Sequence, residues 1–440
     1  MIVQPRLLTA LIALGVTVPL SVPTSHRADD PMTVAFDVSG VRVIQRVDTT
    51  SEIVVANLYL LGGTRQVSAQ TAGIETLLLE ATGWGTRTYP RAKLRRQMAR
   101  LGTSIAIDAE EDWTSIGIRA TRTTFDSTWS VLASRVMEPT LDSADVELVR
   151  AQLLSSVAQR RDDPDALLEF LADSFAFADH PYAQSPVGTE LSLSRISIAD
   201  LRQYHREQFV KSRMLLVIVG NTRRPSIERL VRQTLARLPA GEYRWALPDT
   251  LPRRQSAVRV VNRALPTNYV LGYYRGPRAG TKEYRALRVA SAVLTGQLFS
   301  EIRSRRNLTY AVDAPFLERA MGAGGLYVTT VNPERTLDLM RQELMTLRTS
   351  RVSNEGLARL VQQFITEYFL NNETAAAQAD FLARAELNGG DYRTAQSFAE
   401  DLRRLTPEDV QSAAERYMRD IRFVYLGDSS KVPRRTMERF

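Results

Sequence analysis

Leu94–Ala109, LRRQMARLGTSIAIDA, and Phe299–Ala314, FSEIRSRRNLTYAVDA, align without a gap at an offset of 205 residues. Each reads as the end of a charged helix running into a strand, and each closes on an apolar residue, Asp and Ala. Two further pairs follow in the same order. Ile196–Phe209, ISIADLRQYHREQF, matches Leu405–Met418, LTPEDVQSAAERYM, at an offset of 209. Both start with a Ser or Thr cap, carry an acidic residue three positions on, and continue as an amphipathic helix. Met214–Asn221, MLLVIVGN, matches Ile421–Asp428, IRFVYLGD, at an offset of 207, each a β-rich run closed by Gly-Asn or Gly-Asp. Three collinear matches near one offset, too long for a solenoid repeat, mean two copies of a whole domain.

The boundary between the copies falls in Leu238–Arg254, LPAGEYRWALPDTLPRR, which carries three prolines. Each copy has strands first (Ile53–Leu61; Tyr269–Tyr274), then helices, a strand pair, more helices and a final strand. That order predicts an α+β class with two homologous αβ-sandwich domains, helices on one face of each sheet. The expected division is a signal segment over 1–28, an N-terminal domain over 29–240, a linker over 241–256, a C-terminal domain over 257–432 and a basic tail over 433–440. The signal rests on Arg6 followed by the apolar run Leu7–Val22, which is short for a membrane span and holds Gly15 and Pro19. A cleaved signal and a retained anchor both fit that run. Export predicts a periplasmic or secreted protein, with no membrane contact beyond the signal.

The chain has 440 residues, no cysteine, three histidines (His26, His180 and His205) and a net charge of +8. Thiolate nucleophiles, iron–sulfur clusters and disulfide scaffolds are excluded. A histidine-rich metal centre has almost nothing to be built from. Four of the 57 basic residues are lysine, so the excess is arginine and reads as coding bias. The basic runs Arg87–Arg100 and Arg303–Arg306 lack the interleaved aromatics of a base-stacking surface, so no nucleic acid is expected. An autonomous hydrolase of another kind finds no G-x-S-x-G elbow to stand on.

From about Val34 to Asp428 the chain resembles the insulinase/pitrilysin peptidases, whose inverted zinc motif reads H-x-x-E-H. The resemblance rests on the two αβ halves, on GIETLLLEATGWGT, LFSEIRSRRNLTYAV and HPYAQSPVGTE, and on the strand closing VIVGN. It implies two duplicated domains enclosing half of a chamber. Anchored on Gly73 and on Gly85-Thr86, the family's first zinc histidine falls at Thr76, its general base at Leu79 and its second histidine at Glu80. The third ligand falls at Val157. Of these only Glu80 can coordinate, and a catalytic zinc needs three protein ligands. The expectation is therefore no metal and no cofactor in this chain, and no activity alone. Glu75 and Glu80 lie about 140° apart on a helix and do not converge. Glu110, Glu111 and Asp112 read as a solvated turn, and His180 and His205 as structural hydrogen-bonders.

The second half of the family supplies an Arg and, seven residues on, a Tyr to a zinc site facing it. Arg303 and Tyr310 have that spacing. Arg303 is expected in a last helical turn closed by Asn307 in the left-handed conformation, with Tyr310 beginning a strand. A phenolic O–H suits an oxyanion and a guanidinium suits a peptide carbonyl. The same two residues also fit a core-facing aromatic and one member of a solvated arginine run. An edge strand for peptide addition has two candidates: Gly322–Thr330, with Gly324, Gly325, Leu326 and Tyr327 as substrate-binding residues, and Trp113–Ala120. A plain hairpin turn accounts for the glycines equally well. The resemblance thus implies a non-metal-binding subunit of an exported zinc peptidase, paired as a heterodimer with a homologous subunit that holds the zinc. A catalytically inert structural or peptide-binding scaffold of the same fold is the alternative.

Overall fold

The computed structural model describes residue 30, residues 32–249 and residues 254–440. The segment read as an export signal lies outside them. The first half builds a six-stranded sheet from β1 (Thr33–Val38), β2 (Val41–Val47), β3 (Ile53–Leu61), β4 (Ser104–Ala109), β5 (Trp113–Thr121) and β6 (Met214–Gly220), in the order β1-β2-β6-β3-β5-β4. The second half builds another from β7 (Ala257–Asn262), β8 (Asn268–Arg278), β9 (Val312–Asp313), β10 (Phe316–Leu317), β11 (Met321–Thr330) and β12 (Arg422–Gly427). Its order is β10-β11-β8-β12-β7, with β9 also on β11.

The repeat is visible in the pairing. The late strand β6 inserts parallel to β2 and antiparallel to β3. In the same way β12 inserts parallel to β7 and antiparallel to β8. A strand with neighbours on both edges and cover on both faces must be apolar throughout, and every residue of MLLVIVG in β6 is buried. The helices Ile198–Gln208 and Pro407–Tyr417 start with capping boxes, Ser197 with Asp200 and Thr406 with Asp409. The fold is α+β in two duplicated domains.

One expectation needs correction: helices cover both faces of each sheet. Along β3 the side chains alternate. Val54, Ala56, Leu58 and Leu60 face the first half's own helices, while Val55, Tyr59 and Leu61 face a second core. That second core is closed by Leu382, Ala383 and Leu387 of the Ala375–Gly389 helix, which belongs to the other half. The arrangement is reciprocal. Leu168, Leu171 and Ala172 of the Pro164–Ala176 helix cover Leu271 and Tyr273 of β8 and Val424 and Leu426 of β12. Each half therefore lends one helix to the other. The final residues 433–440 are basic at their surface but bury Met437 and Phe440 in the second half's core.

A second correction concerns Glu110, Glu111 and Asp112. The β4–β5 turn that carries them is pressed against the other half rather than solvated. Asp112 is 2% exposed and accepts from the Tyr182 hydroxyl (2.7 Å) and the Ala320 N–H (2.7 Å). Arg319 donates to Glu111 (2.7 Å) and to both oxygens of Asp173 (2.8 and 3.0 Å). Arg384 donates to Glu110 (2.6 Å) and Asp380 (2.9 Å). Burial pushes the Glu110 carboxyl up to about 7 against the pull of Arg384. The partners named for Glu110, Glu111 and Asp112 lie 70 to 274 residues away in sequence, which is why local polarity alone read the turn as solvent-facing.

Candidate functional site

In the helix Ile74–Ala81, Gly73 supplies the N-cap at φ 83°, and a Cβ there would meet Gly188 at 2.7 Å. That close approach sets the helix against the 186–188 loop. Thr76 is buried and donates its hydroxyl to the Pro186 carbonyl (2.8 Å), so its oxygen serves the loop. Leu79 is a fully buried core residue, Glu80 is exposed, and Val157 packs half-buried against the same core. Glu75 points the other way, accepting from Arg213 (3.1 Å) and from the Tyr204 hydroxyl (2.9 Å). Zinc needs imidazole, carboxylate or thiolate donors converging at about 2.0–2.3 Å. A threonine spent on a carbonyl, two apolar side chains and one exposed carboxylate do not fit it. Among the described residues no group of three His, Cys, Asp or Glu side chains converges as a metal site.

His180 accepts from the Tyr182 N–H at Nδ1 (3.2 Å), and burial pushes its pKa down to about 4, with Arg275 and Arg65 adding to the shift. His205 lies 2.8 Å from the Val136 carbonyl at Nε2, and burial lowers its pKa too. Both rings are held in structural hydrogen bonds.

In the second half, the helix Lys282–Leu298 runs into a wider π-turn over Phe299–Ser304. Such turns often mark functional positions. Asn307 closes it at φ 49°, with its N–H donating to the Arg303 carbonyl (3.1 Å). Tyr310 does not begin a strand, which corrects the sequence reading. It sits two residues before β9 and is 83% exposed. Its neighbour Thr309 is buried and donates to the Ala311 carbonyl (2.8 Å), anchoring the backbone on both sides of the projecting ring.

The Arg303 guanidinium lies 5.0 Å from the Tyr310 ring centre and 5.0 Å from that of Phe299. The structure thus brings Arg303 and Tyr310 together and adds a third member, Phe299, which sequence reasoning missed. The available signal was Phe299 four residues before Arg303, one helical turn away. Glu301 draws off the neighbouring charge, accepting from Arg305 (2.9 Å) and pairing with Arg306. Among the described residues no carboxylate pairs with Arg303. What remains at the surface is a guanidinium braced by two exposed aromatics, with a phenol beside it.

The expected peptide-binding edge is not there. Gly324, Gly325 and Leu326 are buried, and the outer edge of β11 is taken by the chain itself. Phe316 pairs with Gly324, the Gly325 N–H donates to the Pro315 carbonyl (2.8 Å), and Asp313 pairs with Tyr327. The glycines make room for tyrosines: a Cβ on Gly324 would meet the Tyr274 hydroxyl at 2.2 Å. Tyr327 donates to Asp165 of the first half (2.7 Å). The alternative candidate, Trp113–Ala120, lies in β5, which is internal, and the edge of that sheet is β4.

These features define a duplicated α+β fold in which Thr76, Leu79 and Val157, the positions that the resemblance aligns with zinc chemistry, are taken up by hydrogen bonding and packing. The family model described as the peptidase M16 inactive domain matches residues 195–364. An uncharacterized zinc protease of Mycobacterium bovis is 25% identical over 396 residues, covering 85% of this chain and 88% of the relative. The crystal structure of a peptidase M16 inactive domain from Pseudomonas fluorescens superposes with a TM-score of 0.82 at 17% identity, covering 90% of this chain and 98% of that one. The periplasmic protease PqqL from Escherichia coli superposes with a TM-score of 0.75 at 16% identity, over 96% of this chain and 49% of that one. These likenesses are to the insulinase-like M16 peptidases, whose inactive-domain model matches residues 195–364 of this chain.

Proposed function

We propose that this chain is the non-metal-binding subunit of a two-chain peptidase, presenting Arg303 and Tyr310 to a zinc site held by a homologous partner. One observation carries the reading. Arg303 is half-buried, with its guanidinium 5.0 Å from the ring centre of the exposed Tyr310 and free of any carboxylate among the described residues, while Thr76, Leu79 and Val157 offer no ligand. A surface arginine with no anionic partner, stacked between two rings, is pre-organised to receive a polar group from outside the chain. The guanidinium donates to a peptide carbonyl and orients the substrate. The Tyr310 hydroxyl donates to the oxygen that gains negative charge as the carbonyl is attacked, a contact worth a few kcal/mol when it is made only in the transition state.

The same reading places the pair in a heterodimer whose two members together enclose the chamber, with peptides as substrates. Export is part of the proposal. The periplasmic source named for one structural neighbour supports it, as does the apolar Leu7–Val22 run. Among the described residues no helix is long and apolar enough to cross a membrane.

The test is co-expression with a family member carrying an intact H-x-x-E-H. The pair is expected to co-purify as a 1:1 complex with about one zinc and to cleave peptides, while this chain alone holds no stoichiometric zinc and cleaves none. Peptide cleavage by the isolated chain would refute the reading.

A further inference from the structure

A cavity of about 190 Å³ opens where the two halves meet, away from the Arg303–Tyr310 surface in sequence and in lining. Its walls include the buried Tyr273 and Tyr274 and five arginines: Arg254, Arg275, Arg416, Arg419 and Arg422. Two carboxylates face them. Asp179 pairs with Arg254 (3.1 Å) and with Arg275, and Asp420 lies on the lining. Among the described residues the lining is thus rich in guanidinium groups, in a molecule whose whole excess is only +8.

The arginines converge because of the chain path. Arg416 ends the Pro407–Tyr417 helix, Asp420 turns the chain at φ 57°, and Arg422 opens β12. Arg422 is fixed rather than loose. Its Nε donates to the Phe175 carbonyl (3.1 Å) and its guanidinium stacks 4.1 Å from the Phe175 ring centre. Arg275 is likewise held, donating to the Ala176 carbonyl (3.0 Å). The Nε of Arg419 is buried with no acceptor among the described residues. A buried donor without an acceptor is costly. Burial holds the Arg422 guanidinium below its ordinary range, and Arg254 and Arg275 add to the shift. An anion in the cavity would relieve both conditions at once.

We infer that this cavity is a binding site for a phosphate group, gripped by Arg419 and Arg416 against the fixed frame of Arg422 and Arg275. Planar, permanently charged forks in fixed positions suit a tetrahedral oxyanion better than ammonium groups do. The enclosure favours a single small anionic group over an extended polyanion.

The experiment is calorimetric titration of the full chain at about 0.15 M salt with orthophosphate and pyrophosphate, beside co-sedimentation with phosphatidic-acid vesicles. Wild type, Arg419→Ala and the distant surface control Arg96→Ala are compared. Among the described residues Arg419 makes no side-chain hydrogen bond, so its truncation is expected to leave the ligand-free melting temperature no lower. Saturable binding in free solution, weakened at least tenfold by Arg419→Ala and untouched by Arg96→Ala, supports the site with a free phosphate as its ligand. Vesicle binding that alone shows the same pattern supports it with a lipid headgroup. No binding in either arm, or equal weakening by both substitutions, overturns it.

Discussion

Arg213 is 1% exposed, and its guanidinium reaches Glu75 at 3.1 Å and the Leu61 carbonyl at 2.8 Å. Burial works against the charge on Arg213, but Glu75 and Tyr204 outweigh it and raise its pKa. Breaking one member of such a pair strands the other charge in the core, so Glu75→Ala is expected to cost about 3–5 kcal/mol in urea unfolding. A loss below about 1 kcal/mol would show that the pair is not what fixes the helix Ile74–Ala81. Glu110 gives a pH signature. Its carboxyl is raised from 4.5 to about 7 by burial, so the folded state binds the extra proton between those values. The stability this contributes is full below about 4.5 and is lost as pH rises through 7. From pH 4.5 to 7.5 the melting temperature of wild type should therefore fall relative to that of Glu110→Gln. Parallel curves would contradict it. Single residues were legible in sequence where their meaning was local. Arg303, Asn307 and Tyr310 lie within eight positions, and the family resemblance, read on that spacing, singled out Arg303 and Tyr310. Glu110 and Asp112 find their partners in Tyr182, Arg319 and Arg384, far along the chain, and no window of sequence holds both ends.

The duplicated elements were readable because caps and buried strands depend on neighbours three or four residues away. Ser197–Asp200 and Thr406–Asp409 form the boxes their spacing implied. The targets of apolar helix faces were not readable. Leu168 lies on an ordinary amphipathic pattern, yet it packs on a sheet of the other half. Leu168→Ala is expected to cost about 2–5 kcal/mol and to destabilise the second half's sheet, measured as lost amide protection in β8 and β12. Loss confined to the first half would contradict the exchange of helices. The π-turn was also hidden, since Leu298–Ser304 scans as uninterrupted helix and the extra residue shows only in the hydrogen bonds.

At the scale of the molecule, the exchanged helices and the Glu110–Asp112 turn make one cooperative unit from two copies. Calorimetry is expected to show a single unfolding transition, and two resolved transitions would contradict it. The asymmetry between the copies carries the functional account. In one copy the positions that the resemblance aligns with metal ligands and base include Thr76, Leu79 and Val157, which offer no ligand, while the other carries an arginine braced by aromatics and an exposed phenol. The most direct measurement is peptide cleavage by the reconstituted two-chain complex carrying Arg303→Ala or Tyr310→Phe in this chain. The account predicts kcat/KM at least tenfold lower for each, with zinc content and complex assembly unchanged. Wild-type kcat/KM in both variants would contradict it.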